Sequence, residues 1–356
     1  TTEIYTLSLH DALPILFKMC KITVLVAVYN AEPFLDKCLN SLLGQSLHDI
    51  QIICIDDCST DHSLQILKEY AQRDSRIKVM KTPVNSGQAV ARNLGLTIAD
   101  GEYTTMLDSD DWYEPTTLQK AYNALTADAE NDCVLLHVVM HDNDTQCETD
   151  YENRTDKTTL SGEEAFRLSL DWRIHGLYVV RTSLHKRYPY DTTCRLYSDD
   201  NTTRLHYLHS RKVVFCDGKY FYRQHKNSCT NSCSIKRFDY MEANLSMRRQ
   251  LDNEVKNGNI SHADEVLSLY ETHRWCNLIG CYGYLLQHKN AFSSAEKSLI
   301  MKRMQAVFQT IDVSLIRTNV KYRPGYYPWR MFSIFLLQSW LYLTIRRVFF
   351  NIRVPD

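Results

Sequence analysis

Residues 22–28 (ITVLVAV) form an unbroken apolar, β-branched run, the pattern of a strand buried on both faces of a parallel sheet. Helical spacing follows over 33–43, where Phe34, Leu35, Cys38, Leu39 and Leu42 share one face. A second strand is predicted over 50–55. A helix follows over about 61–73, with Leu64, Leu67 and Ala71 on its inner face and Thr60 as its cap. Strand signals return at 77–80 and 103–107, with a helix at 86–98 between them. Strands alternating with helices of about 12 residues predict βαβ units and a mostly parallel sheet. Residues 133–140 (CVLLHVVM) predict another strand. Beyond about 235 the pattern turns helical, over 240–256, 262–287 and 293–310. There is no internal repeat and no low-complexity tract.

Composition narrows the class without naming a function. The 356 residues suit one large domain or two modest ones, and 44% hydrophobic with 23% charged residues excludes disorder, collagen and a polytopic membrane protein. Lys and Arg number 41 against 42 Asp and Glu, a net charge of -1, which argues against a dedicated nucleic-acid binder. The twelve cysteines form no C-x-x-C pair, and their scattered spacing without a secretory signal favours free thiols in a reducing, cytoplasmic setting. Cys229 and Cys233 lack a second pair at zinc-finger spacing.

The two ends differ from the middle. Residues 1–18 have no basic region, no long apolar core and no small-residue cleavage site, while Met19 begins MCKITVLVAVYN in the manner of a natural start. Residues 1–18 are therefore expected to be a foreign or mistranslated prefix, whose deletion leaves stability and activity unchanged. At the other end Met331 to Ile345 carries no charge, but this run is shorter than the roughly 20 residues that span a bilayer. Seven basic residues lie from Arg317 onward (Arg317, Lys321, Arg323, Arg330, Arg346, Arg347 and Arg353) against one acid, Asp356. An apolar, aromatic helix with basic flanks suits peripheral contact with a membrane; a helix docked on the main domain is the other reading.

Open α/β sheets bind ligands beyond the carboxyl ends of their strands. Polar residues gather at three such ends: Tyr29-Asn30-Ala31-Glu32, Asp56-Asp57-Cys58-Ser59-Thr60-Asp61 and Asp108-Ser109-Asp110-Asp111. In an extended segment Asp108 and Asp110 point to one side, a hard oxygen site for Mg²⁺ or Mn²⁺ with positions left over for phosphate oxygens. The chain contains neither G-x-G-x-x-G nor G-x-x-x-x-G-K-[ST], which speaks against dehydrogenase and P-loop readings.

The succession VAVYNAE, IDDCSTD, NSGQAVARNLGL and MLDSDDWYEP resembles the family 2 glycosyltransferases, strongly over about residues 20–125 and more loosely over 175–230. The resemblance implies an α/β GT-A fold, with a mostly parallel sheet flanked by helices and a helical C-terminal region. It implies a nucleotide-sugar-binding half over 19–127, an acceptor-binding half over 128–235, and a helical region with a membrane-associating tail over 236–356. By the same resemblance Val28, Tyr29 and Asn30 line the nucleotide pocket, Asp57 accepts a hydrogen bond from the base, and Asp56 orders the turn. Asn85 and Gly87 shape the loop before the helix that carries Arg92, which lies near the phosphates. Asp108 and Asp110 bind Mn²⁺ or Mg²⁺, Ser109 lies between them at the nucleotide-sugar, and Asp111 supports them. His225, in YFYRQHKNS, reaches the metal or diphosphate, and Ser228 shapes a lid. The base of an inverting reaction falls on the pair Asp199-Asp200, where the family has Glu-Asp; Asp200 is the first choice and Asp199 the second. Trp172, Arg173 and His175 fall in the acceptor region without assigned roles.

The implied activity is transfer from a nucleoside-diphosphate sugar, UDP favoured, to a saccharide or lipid-linked acceptor. Bacterial surface polysaccharide synthesis at the inner face of the cell membrane fits that chemistry. The alternative is a nucleotide-sugar-binding protein without transfer activity. The donor sugar, the linkage and the oligomeric state are not encoded in these motifs.

Overall fold

The first apolar run becomes β1 (Ile22–Val28), six of whose seven residues are buried. It is followed by α1 (Glu32–Leu43), β2 (Ile50–Asp56), α2 (Ser63–Arg73), β3 (Ile77–Lys81), α3 (Gln88–Leu96) and β4 (Tyr103–Met106). The computed structural model describes residues 20–224, 234–317 and 331–350. Alternate residues of these strands serve two cores, as the period of two requires. Val24, Val26, Ile52 and Cys54 pack with Leu35, Leu39 and Leu67, while Leu25, Ile53 and Ile55 pack with Ala89, Ala91 and Leu96 of α3.

The second half contributes β5 (Trp112–Tyr113), α4 (Thr117–Thr126), β6 (Asn131–Asp142), β7 (Glu148–Asp150), β8 (Thr159–Ser161), α5 (Gly162–Leu170), β9 (Tyr178–Arg181), α6 (Thr182–Arg187), α7 (Ser198–Leu208) and β10 (Lys212–Gln224). One sheet runs β3-β2-β1-β4-β9-β6-β10-β5, with β7 on β6 and β8 on β10. β1 is parallel to β2 and β4, β2 to β3, and β6 to β10, whereas β9 is antiparallel to both β4 and β6. Six strands thus point one way and their carboxyl ends share one edge; β9 is reversed in their midst, and the short strands β5, β7 and β8 run antiparallel to β10 or β6. The register places Val28 opposite Asp56 and Leu25 opposite Met106 on that edge.

The helical region consists of α8 (Tyr240–Lys256), α9 (Ala263–Gln287), α10 (Ser294–Thr310) and α11 (Phe332–Phe350). Its core is built on Trp275, Leu278, Ile300, Met304 and Phe335, all fully buried. Glu271 and Arg274 of α9 are buried with them as an ion pair of 2.8 Å that also takes Arg248 of α8 at 2.7 Å. Among the described residues no helix is long and apolar enough to cross a membrane. The ten described cysteines are free thiols, as expected; residues 1–18, His225, Ser228, Cys229 and Cys233 lie outside the described residues.

Thr60 does not cap α2. Its N–H and hydroxyl both donate to Asn30 Oδ1, at 2.8 and 3.2 Å. Asp61 does the capping instead, accepting from Ser63 N–H at 3.0 Å and from Glu32 N–H at the start of α1 at 3.1 Å. One carboxylate thus serves the exposed donors of two helix starts, and it ties the end of β1 to the end of β2.

Candidate functional site

At the end of β2, Asp57 is buried and its carboxylate organises the loop before α3. Oδ1 accepts from the Thr82 hydroxyl at 2.6 Å and from Ser86 N–H at 2.9 Å, and Oδ2 accepts from Gly87 N–H at 2.7 Å. Gly87 has φ 90°, a conformation that suits glycine and presents its N–H to the acid. Ser86 N–H also reaches Oδ2 at 3.2 Å, so each oxygen takes two hydrogen bonds from this loop. The neighbouring Asp56 accepts from Ser59 N–H at 3.2 Å, and its other oxygen is buried without a hydrogen-bond partner. Asp56 thus binds the turn after β2, as expected of it, while Asp57 binds the loop before α3. Val28 is buried in the core and reaches the edge through its carbonyl, which accepts from Asp57 N–H at 2.7 Å. Tyr29 is half exposed, and Asn30 adopts φ 50°.

Beyond β4 the acidic turn departs from the extended form expected of it. Residues 109–110 form a turn closed by Asp111 N–H to the Asp108 carbonyl at 3.1 Å. Asp108 and Asp110 are therefore not aligned on one side of a strand. Asp108 meets Arg92, which stands buried on α3 with Nη2 on Asp108 Oδ1 and its Nε and Nη1 unpartnered. Burial pushes the Asp108 carboxyl up to about 6; Arg92 pulls it down, and the like charges of Asp110 and Asp199 push it up again. Ser109, between the two acids, is partly exposed. Asp111 is buried and holds the turn to β10, accepting from the Tyr220 hydroxyl at 2.6 Å and from Arg223 N–H at 2.7 Å. Arg223 Nε donates to the Asp110 carbonyl at 2.7 Å. Among the described residues no group of three or more His, Cys, Asp or Glu side chains is poised to hold a metal ion.

Facing this turn is the start of α7. Asp199 and Asp200 lie in its first turn, after Tyr197 at φ 64°. They point to different neighbours. The charge of Asp199 acts on Asp108, Arg92 and Tyr190. Asp200 lies in the field of Arg204; burial pushes its carboxyl up to about 7, Arg204 lowers it, and Asp199 raises it. One oxygen of Asp200 is buried without a hydrogen-bond partner.

Several residues that the motifs did not single out join the two sides. Asn93 Nδ2 donates to the Tyr190 carbonyl and its Oδ1 accepts from Tyr190 N–H, both at 2.8 Å. The Tyr190 ring lies 5.4 Å from the Arg92 guanidinium. Arg195 reaches Asn85 through its side-chain oxygen at 3.4 Å and its carbonyl at 3.3 Å. Asp191 accepts from Asn201 of α7 at 2.7 Å and from Gln250 of α8 at 3.1 Å, which fixes the loop before Asp199. Asn93 follows Arg92 in the ARN motif, and alternation in KYFYRQ puts Tyr220 and Tyr222 on one face and Phe221 and Arg223 on the other; these were the available signals. Tyr190 and Arg195 lie in an irregular loop and gave none. His175 is buried, and burial pushes its imidazole down to about 4, while Trp172 is half exposed.

A mostly parallel sheet, acids at the ends of its strands, a buried cation between them and a second acidic helix start facing them define a GT-A-type sugar-nucleotide fold. Residues 23–176 match the model of Glycosyl transferase family 2. That stretch of the chain is similar to the family 2 glycosyltransferases. Over 116 residues it is 42% identical to an uncharacterized glycosyltransferase of Haemophilus influenzae, a match that covers 33% of this chain and 45% of that protein. Over 221 residues it is 31% identical to the uncharacterized glycosyltransferase EpsJ of Bacillus subtilis, covering 59% and 62%. Over 106 residues it is 42% identical to the poly(ribitol-phosphate) beta-glucosyltransferase of Bacillus spizizenii, covering 29% and 17%. The chain thus spans less than two thirds of the length of each of these relatives. The fold is similar to that of S. aureus TarS residues 1–349 in complex with UDP-GlcNAc, with a TM-score of 0.64 at 20% identity over 83% of this chain and 82% of that one.

Proposed function

We propose that the chain is an inverting glycosyltransferase. It moves a sugar from a nucleoside-diphosphate sugar, UDP favoured, to a saccharide or lipid-linked acceptor in surface polysaccharide synthesis, at the inner face of the cell membrane. The observation that carries this reading is the approach of Asp199 to Asp108 and Arg92 across the sheet edge. It brings an acid able to act as base beside residues suited to a diphosphate. The relative from Bacillus spizizenii is, by its name, a glucosyltransferase of poly(ribitol-phosphate), and it supports a polymeric acceptor.

Each role follows from what the side chain can do. The Asp57 carboxylate is an acceptor suited to an N–H of the nucleotide base, beside Val28, Tyr29 and Asn30. Asn85 and Gly87 frame the loop beside it. Arg92, with two unpartnered nitrogens, offers donors to phosphate oxygens. Asp108 and Asp110, with the carbonyls and hydroxyl of the Ser109 turn, supply hard oxygen donors that fit Mg²⁺ or Mn²⁺, and His225 is a further ligand candidate. A divalent cation bound there would offset the charge that develops on the departing diphosphate.

The base in this reading is Asp199 rather than Asp200. Asp199 shares its field with the donor-side residues, whereas Asp200 is buried in the field of Arg204. Asp199 takes the proton of the acceptor hydroxyl, and the acceptor oxygen forms its bond to the anomeric carbon from the face opposite the diphosphate. The bond from that carbon to the diphosphate oxygen breaks, and its electron pair leaves with the nucleoside diphosphate. General-base removal costs about 10²–10⁴-fold in rate. Asp199→Asn is expected to lose turnover on that scale while UDP still raises the melting temperature. Full turnover in Asp199→Asn would refute the assignment.

A further inference from the structure

The helix α11 has two apolar faces, and only one of them is covered. Phe335, Ser339 and Leu343 are buried against the helical region, with the Phe335 ring 5.3 Å from Trp275 and 5.1 Å from Phe308. The other face exposes Leu337 at 65%, Trp340 at 47%, Leu341 at 52%, Ile345 at 42% and Val348 at 67%. At about 100° per residue these five fall within an arc of roughly 140°, opposite the docked one. A contiguous apolar face of this kind on a folded protein marks an interaction site.

We propose that this outward face of α11 docks on an anionic lipid surface. Charge selects the occupant. Residues 313–355 contain seven Lys and Arg and no acid, so the chain's net -1 divides into +7 in this stretch and -8 in the rest. A second copy would set one basic stretch of sequence against another of the same sign, whereas an anionic leaflet supplies the opposite charge. Geometry selects the mode. The 19 residues of α11 extend about 28 Å, and no described helix is long and apolar enough to cross a bilayer. The helix therefore lies in the plane of the interface, with Leu337, Leu341, Ile345 and Val348 toward the acyl chains, Trp340 at the flank and the exposed Arg347 toward the headgroups. The inference rests on this face and not on the transfer reaction.

Vesicle flotation of the full chain tests it, with phosphatidylcholine vesicles compared with vesicles that also contain phosphatidylglycerol. The chain is expected to float with the anionic vesicles, to stay behind with the neutral ones and to be released by salt. The double variant Leu337→Glu/Leu341→Glu is expected to bind about tenfold more weakly or less, while its UDP-induced thermal shift stays that of the wild type. UDP binding read separately keeps a failure of lipid docking distinct from a failure of the donor-site reading. Absence of flotation with anionic vesicles would overturn the proposal, as would unchanged flotation of the double variant. A concentration-dependent dimer that the double variant abolishes would assign the face to a second copy instead.

Discussion

Arg92 and Asp200 show what individual residues contribute at the sheet edge. Arg92 is buried with one nitrogen on Asp108 and two without partners, a costly arrangement unless a further anion completes it. Arg92→Leu should remove donor binding. It should also cost up to about 3 kcal/mol in urea unfolding, below the range for a fully buried pair because 31% of the Asp108 side chain is exposed. Asp200 makes a different prediction. Its folded value of about 7 lies above the ordinary 3.8, so its contribution to stability is full below about pH 4 and is lost as the pH rises to about 7. Urea midpoints of wild type and Asp200→Asn should therefore diverge across that window, with the variant gaining as pH rises; parallel curves would refute this. The identities of these residues were legible in the motifs, because ARN falls in a predicted helix beside the strand ends and the Asp199-Asp200 pair opens another helix. Their division of labour was not. Which of Asp199 and Asp200 faces the donor depends on the angle at which α7 leaves the Tyr197 turn, and that angle is set by Asn201, Asp191 and Gln250 from three separate segments.

The elements that bury both faces, or one clear stripe, were readable from their periodicity. β1 ends where its apolar run ends, and α8 spans the residues the pattern predicts. β5, β7, β8 and β9 were not readable. They are two to four residues long, too short for a period, and exist because a long neighbour offers them an edge. Close approach of elements is also invisible in one sequence. The start of α5 abuts the end of α7 so tightly that a Cβ on Gly162 would lie 2.5 Å from the Tyr207 carbonyl oxygen. Gly162→Ala should cost about 1–3 kcal/mol by urea unfolding and slow transfer by shifting the helix that carries Asp199. Gly280, inside α9, has nothing within 4 Å of such a Cβ. Gly280→Ala should stabilise by about 0.5–1 kcal/mol, so equal effects at the two glycines would contradict this packing.

At the scale of the molecule, the sheet edge gathers one set of acids and the end of the chain gathers the bases. The acids repel one another unless a cation joins them. UDP with Mn²⁺ is therefore expected to raise the melting temperature by more than either alone, and Asp110→Asn should abolish that extra increment. An unchanged increment in Asp110→Asn would rule out Asp110 as a ligand. The order of events in synthesis follows from β10. The acidic turn at 108–111 is fastened by Tyr220 and Arg223, which lie 109 to 113 residues later in the chain. A ribosome that has released the chain only through α4 has made all four opening strands and every acid of the donor edge. The clasp that shapes them is still inside the tunnel or not yet translated. On the proposed reading, affinity for a charged nucleotide arrives late in translation, and half-made chains do not compete with finished ones for a donor.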